Sequence, residues 1–297
     1  LPVNTVYLID ASIYIFRYYF ALEDHWFAEN DYPTAAVYGY TRWLMRFLSA
    51  QQPTRVGACF DESLDSSFRN EIYADYKSSR ALPDDALAFQ LLACKKMTEL
   101  FGVASFASAR YEADDLLATL AQKNRAAGRA NCVLTRDKDL AQIILGARDQ
   151  FWDYPDGEPM GSRELTKKMG VQPHQVADYL ALIGDVSDDI PGVPGLGPKT
   201  AAALLQHFPN WESIKLGLPL VANLPIRGAT GVAAKLQLYS AQIDMALQLT
   251  RVQNKIPLGR CDLRLRPANI NEITRFAQYL GFGQGFIASL QPFERQT

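Results

Sequence analysis

Short, wholly apolar runs alternate with amphipathic ones along the first half of the chain. Runs at about 3–10, 54–61, 103–107 and 131–136 read as strands buried on both faces. Between them, stretches at about 12–20, 36–50, 85–101 and 112–127 carry apolar residues at helical spacing. This βαβα rhythm predicts a largely parallel sheet covered by helices on both sides. After about residue 170 the strand rhythm stops, and helical patterns at 173–183, 198–207, 229–249 and 269–281 dominate. The expected division is an α/β core over 1–170 and a helical subdomain over 171–297.

Three of the strand-like runs lead into an aspartate: Asp10 after Ile9, Asp61 after Phe60, and Asp137 two residues beyond Leu134-Thr135. In open α/β sheets the ligand site lies beyond the carboxyl ends of the strands, so these three share one expected edge. Glu112, Asp114 and Asp115 open a helical pattern, Asp139 follows Asp137 by two positions, and Asp185 and Asp188 precede a Gly/Pro-rich turn. Nine carboxylates brought together repel one another unless cations lie among them. An all-oxygen donor set with only three scattered histidines selects Mg²⁺ or Mn²⁺ over zinc. Two such ions about 3.5–4 Å apart are the arrangement that cleaves phosphodiesters.

Composition changes this picture in one respect. The net charge of −2 would by itself argue against a nucleic-acid partner. Taking the nine clustered acids from 32 leaves 23 against 30 Lys and Arg, which predicts a basic track beside an acidic pit. Four widely spaced cysteines without a Cys-x-x-Cys pair read as reduced core thiols. No apolar run approaches the ~18 residues of a membrane span. The expectation is a monomer without a membrane partner, located in the cytoplasm, or in an organelle if a transit segment preceded Leu1.

Two polar segments carry further candidates. Residues 62–84 interleave rings and bases, as in Phe68-Arg69 and Tyr76-Lys77-Ser-Ser-Arg80. Both a solvated surface helix and a segment that holds phosphates while rings stack on bases fit this pattern. The second segment is Gly192-Val193-Pro-Gly195-Leu-Gly197-Pro-Lys199-Thr200. It is not a nucleotide-binding loop, because Pro198 separates glycine from lysine and a helix precedes it. A turn between two helices fits better, with Pro198 at a first helical position and exposed amides facing a backbone phosphate. An ordinary helix connection is the alternative. Backbone carbonyls of such a turn can also hold a monovalent cation such as K⁺.

In family order, the motifs Leu-Ile-Asp10, Phe60-Asp61, Phe68-Arg69, Tyr76-Lys77-Ser-Ser-Arg80, Glu112-Ala-Asp114-Asp115, Asp137-Lys-Asp139, Asp185-Val-Ser-Asp188 and Gly192 to Thr200 resemble the 5′ nuclease (flap endonuclease) family. The resemblance is strongest to the 5′→3′ exonuclease domain of bacterial DNA polymerase I and to stand-alone bacterial relatives. It implies a PIN-like three-layer α/β/α core, a helical arch at about 62–84, and a helix-three-turn-helix at about 175–207. By position it implies one metal region at Asp10, Asp61, Glu112, Asp114 and Asp115, and another at Asp137, Asp139, Asp185 and Asp188. It further implies catalytic cationic side chains at Lys77 and Arg80, on the scissile phosphate, and at Arg17, near the first aspartate. DNA contacts are implied at Tyr76, Phe68, Arg69, Gly192, Val193, Gly195, Gly197, Lys199 and Thr200. The chain departs from the family pattern at Arg136, where glycine is expected, and at Asp189, where asparagine is usual.

The expected function is divalent-metal-dependent hydrolysis of DNA at 5′ ends and 5′-flap junctions, in replication and repair. A DNA-junction binding module with a degenerate site and a PIN-type ribonuclease are the alternatives weighed. A phosphatase of the haloacid-dehalogenase class is disfavoured, since Asp10-Ala-Ser12 lacks a second aspartate.

Overall fold

The computed structural model describes residues 4–63, 66–259 and 261–294. Five strands form one sheet, all parallel: β1 (Thr5–Asp10), β2 (Val56–Asp61), β3 (Ala104–Ser108), β4 (Ala130–Leu134) and β5 (Gln150–Trp152), in the order β3-β2-β1-β4-β5. The first four match the apolar runs. The fifth has three residues, too short to carry a pattern of its own. β1 sits between β2 and β4, so the chain's path across the sheet reverses there, and such a reversal opens a crevice at the strand ends.

Strand β1 shows why both faces must be covered. Val6 and Leu8 point into one apolar cluster, and Tyr7 and Ile9 into the other. Helices α1 (Ala11–Ala21), α2 (Ala35–Gln51) and, after the five-residue α3 (Phe68–Ile72), α4 (Asp85–Leu100) cover the Tyr7 side. Helix α5 (Ala113–Ala126) covers the Val6 side through Leu116, Leu117 and Leu120. Among the described residues of 62–84, the arch contains α3 and a run of turns, and no longer helix. Leu64 and Asp65 lie outside the described residues.

After α6 (Ser162–Met169) the chain is helical: α7 (Val176–Ile183), α8 (Pro198–His207), α9 (Trp211–Leu216), α10 (Leu218–Val221), α11 (Ala229–Leu238) and α12 (Ser240–Thr250). The single helix expected over 229–249 divides at Tyr239. Its apolar residues share the Val6-side cluster with α5, so this region adds to the core of the sheet and has no separate interior.

The C-terminal stretch differs from expectation. Helices α13 (Ile270–Tyr279), α14 (Gln284–Ala288) and α15 (Gln291–Glu294) were grouped with the helical subdomain by pattern. Leu280, Phe282, Phe286, Leu290 and Phe293 instead pack on the Tyr7 side of the sheet, beside α2 and α4. All four cysteines are free thiols, and three are buried. Among the described residues no helix is long and apolar enough to cross a membrane.

Candidate active site

Parallel strands deliver their last residues to one edge, and this is where the acids meet. Asp10 ends β1 and is buried, and its carboxylate accepts a 2.8 Å hydrogen bond from the Thr135 hydroxyl beyond β4. Asp61 ends β2. Its amide donates to Ser12 Oγ at 2.9 Å, and its carboxylate accepts from the Ala113 amide at the start of α5 at 2.7 Å. That bond places a negative charge at a helix N-terminus, where the macrodipole favours it. Asp137 caps the 3₁₀ turn Lys138–Ile143 by accepting from the Asp139 amide at 2.9 Å.

The electrostatics divide these acids into two overlapping groups. Burial first, then Asp61 and Asp137, push the Asp10 carboxyl up to about 7. Burial raises Asp114 far above the usual range, with Asp137, Asp10 and Asp61 adding to it. Asp61 is raised by burial and by Glu112, partly offset by Lys77. Around the second focus, burial followed by Asp137 and Asp185 lifts Asp139 up to about 8. Asp137, which helps raise Asp10 and Asp114, is itself raised by burial and by Asp188 and Asp185, and so belongs to both groups.

Carboxyls in this state relieve their repulsion by taking up protons or by accepting a cation. The all-oxygen donors suit a hard divalent ion. As they stand, no three His, Cys, Asp or Glu side chains among the described residues are arranged to hold an ion. The acids are near enough to raise one another's proton affinity, yet they are not drawn together into a finished ligand set.

Three of the nine acids are neutralised by the protein instead. Glu112 accepts from Lys77 Nζ and from the Tyr76 hydroxyl; burial pushes its carboxyl up, but Lys77 and Arg69 outweigh burial and lower it. Asp188 accepts from Arg80 Nη2 and, at 3.2 Å, from Tyr76. The Lys77 amide also donates to the Asp188 carbonyl at 3.0 Å. These bonds pin the turns of residues 76–80 onto the acidic edge. Asp189 accepts from the Ser79 amide at 2.8 Å and adopts a left-handed backbone, φ +55°, which Asp and Asn tolerate better than most residues.

Asp115 is the third, and it corrects an expectation. Its carboxylate is fully buried and grips Arg69 through two bonds, from Nη1 at 2.7 Å and from Nη2 at 2.8 Å. It points about 100° around α5 from Asp114, as successive helical residues do, and so meets Arg69 where Asp114 meets Asp10, Asp61 and Asp137. Arg69 is correspondingly 2% exposed, so the DNA contact expected of it gives way to a structural role. Burial opposes its charge, but Asp115 more than restores it.

Other expected site residues are also placed differently. Tyr76 is buried beneath the turns it belongs to, with its hydroxyl on Glu112 and Asp188, and offers no open ring face here. Phe68 is half-buried against Tyr111 and the Arg69 guanidinium. Arg17 pairs with Asp156 at 2.7 Å on the β5 side, away from the acids. Arg136 faces Asp153 at 3.4 Å. Thr135 and Ser12, which orient the two strand-end aspartates, carry no pattern that sequence reasoning can single out.

The expected turn between helices runs from Gly184 to Gly197. A Cβ on Gly192 would lie 2.1 Å from the Ile183 carbonyl oxygen, so the close return of the chain requires glycine there. Asp185 and Ile190 exchange backbone bonds of 2.9 and 2.8 Å, which aims Asp185 and Asp188 at the edge. Pro198 opens α8 as its first residue, and Gly195, Gly197 and Lys199 are exposed. Val193 is buried and its amide donates to Leu182, so it packs the turn and does not face outward. The carbonyls of Gly192 and Pro194 accept from Gln242 at 2.8 Å and Lys235 at 2.9 Å.

This parallel sheet with a rim of strand-end acids and a helical turn beside it is the fold of a 5′ nuclease. It superposes on the T5 D15 flap endonuclease, in a complex with DNA and metal ions, with a TM-score of 0.66 over 93% of this chain and 100% of that one, at 18% identity. Models for the N-terminal resolvase-like domain and the C-terminal SAM fold of 5′-3′ exonucleases match residues 5–170 and 171–272. The chain belongs to the 5′-3′ exonuclease family. The 5′-3′ exonuclease of Aquifex aeolicus is 33% identical over 285 residues, 93% of this chain and 92% of that protein. Thermostable DNA polymerase I of Thermus thermophilus is 32% identical over 282 residues, 95% of this chain but 33% of the polymerase.

Proposed function

We propose that the chain hydrolyses DNA phosphodiesters at 5′ ends and 5′-flap junctions with two divalent ions, Mg²⁺ or Mn²⁺. The observation that carries this reading is the set of buried and half-buried carboxyls at the sheet edge, raised by burial and by one another and without an ion pair to a protein cation. Asp10, Asp61 and Asp114 would hold one ion, with Glu112 reaching it through water. Asp139, Asp185 and Asp188 would hold the other, with Asp137 serving both. When bound, the ions supply an activated water and neutralise charge on the phosphate.

The chain's own residues do the rest. Lys77 and Arg80 are lodged on Glu112 and Asp188, so a phosphate arriving above the rim competes for both bases. Their transfer to the phosphate oxygens would stabilise developing charge and hold the scissile bond in place. The exposed turn at Gly195, Gly197 and Lys199, with the half-buried Thr200 beside it, suits the backbone of a duplex, and it reads no bases. A K⁺ ion at this turn would compete with the Lys235 ammonium already on the Pro194 carbonyl. Such an activity serves replication and repair, where displaced 5′ strands must be removed.

The direct test is a product map on a 5′-end-labelled flap substrate, with Mg²⁺ and with EDTA. Cuts at or next to the junction that leave 5′-phosphate and 3′-hydroxyl, only with the metal, are expected. Binding without cleavage in either Mg²⁺ or Mn²⁺ would leave a DNA-junction binding module as the reading.

A further inference from the structure

Helix ends leave their final carbonyls without partners. At the end of α12 these carbonyls are taken up by Arg69 and Gln142, and Asp115, from a third segment, holds the amide that follows. Arg69, at the base of the arch, donates from Nε to the Leu249 carbonyl at 2.7 Å and from Nη2 to that of Arg251 at 3.4 Å. Gln142 donates to the Thr250 carbonyl at 3.0 Å and accepts from the Val252 amide at 3.1 Å. Asp115 accepts from the Gln253 amide at 2.8 Å.

Each of these side chains leads on to the acidic rim. Asp115 accepts from the Glu112 amide at 3.2 Å and so fixes the start of the helix that carries Asp114. Gln142 donates to the Asp139 carbonyl at 3.1 Å, within the 3₁₀ turn capped by Asp137. The opposite end of α12 reaches the turn between α7 and α8, where Gln242 donates to the Gly192 carbonyl. An 11-residue helix is about 16 Å long and moves as a body, because its backbone bonds are internal.

We propose that α12 is a strut joining the duplex-facing turn to the metal-facing acids, with Gln242, Arg69 and Gln142 as positioning residues. The inference rests on the proposed DNA reaction. A duplex backbone seated on the turn shifts Gly192, Gly192 carries Gln242, and the far end of α12 carries Arg69, Asp115 and Gln142. The acids of the rim are then drawn together when a duplex is in place. Free single strands meet it in the looser arrangement described above.

A double-mutant cycle on kcat for flap cleavage in Mg²⁺ tests the strut, using Gln242→Ala and Gln142→Ala. The two side chains grip opposite ends of α12 and share no partner, so independent effects would multiply. The strut requires both single variants to be slower and the double variant to be no slower than the worse single, within about a factor of three. Multiplied losses, or no loss in either single, overturn it.

Gln142→Ala is chosen because Arg69 variants endanger folding. Amide hydrogen exchange in EDTA with saturating blunt duplex gives a second readout, free of metal and chemistry. Duplex should slow exchange across residues 112–116 in the wild type but not in Gln242→Ala; equal protection in both overturns the strut. A wild type that cuts nothing in Mg²⁺ or Mn²⁺ would strike the nuclease reading, while the exchange result would still decide the strut.

Discussion

Asp114 and Asp115 are neighbours in sequence and opposites in circumstance. Asp114 faces Asp10, Asp61 and Asp137, and its carboxyl is raised far above the ordinary range, by burial first and then by those charges. Asp115 is more deeply buried yet sits in a bidentate bond with Arg69. The same contrast runs through the whole edge. Glu112, Asp115 and Asp188 are paired with Lys77, Arg69 and Arg80, whereas Asp10 and Asp139 are surrounded chiefly by other acids, and Asp61 and Asp137 feel Lys77 without an ion pair to it. Burial therefore does not define the site. Crowded negative charge without an ion-pair partner defines it, Asp115 with Arg69 is its frame, and Glu112 and Asp188 join it only when Lys77 and Arg80 let go.

The largest effect that can break this comparison is on turnover. Asp114→Asn and Asp185→Asn should each lower kcat on a Mg²⁺-supported flap substrate by on the order of 10³-fold, since each removes a charge meant for a metal. Neither should lower the melting temperature of the metal-free protein, because no ion pair is lost. Near wild-type turnover in both would remove the two-metal account. Asp115→Ala should do the reverse in stability. It strands a buried guanidinium and should cost about 3–5 kcal/mol of folding free energy, read by urea titration. A cost as small as that of a surface change would show that Arg69 finds another partner.

Lys77 lies between the two classes, for it neutralises Glu112 now and is a candidate for the phosphate later. Lys77→Ala should slow flap cleavage by roughly 10–100-fold and change duplex affinity by less than about threefold. Equal losses in both would make it a simple phosphate contact.

A gentler probe is pH. Asp10 and Asp139 have folded-state values of about 7 and about 8 against an ordinary 3.8. The folded protein keeps protons that the unfolded chain has shed, so their contribution is complete below the ordinary value and is lost as pH rises through 7 and 8. In EDTA the melting temperature should fall between pH 5 and pH 9. Mg²⁺ should reduce that fall, being most stabilising where the carboxyls are ionised. A flat profile in EDTA would mean that the acids are not crowded.

Much of this arrangement was legible in the chain. Apolar runs ending on Asp10 and Asp61 state both a buried parallel strand and where its last side chain emerges, so their convergence follows from the sheet alone. The turn from Gly192 onward was legible from Pro198 and its glycines, whereas its start at Gly184, set by the Asp185–Ile190 pairing, was not. What escaped was direction. Glu112-Ala-Asp114-Asp115 announces an acidic helix start, but only its docking on the sheet decides which aspartate looks at the rim. Phe68-Arg69 has the composition of a nucleic-acid contact, and only Asp115, 46 residues away, makes it a buried strut. The C-terminal helices carry an amphipathic pattern equally suited to either face of the molecule, and α2 and α4 settle which.

The smallest expected effect isolates burial from geometry. Arg110 grips Glu71 with the same two-bond fork that Arg69 uses on Asp115, at the surface near the same short helix. Both partners are more than half exposed, and Glu71 is lowered by its bond to Arg110. Water and salt screen such a pair, and holding two long side chains in one pose costs entropy. Arg110→Ala should therefore leave the melting midpoint within measurement error and flap turnover unchanged, where Asp115→Ala collapses stability. A resolvable loss would show that the fork itself, and not its desolvation, holds α3 against the acid-bearing helix. The division of carboxylates into frame and site would then need a different physical basis.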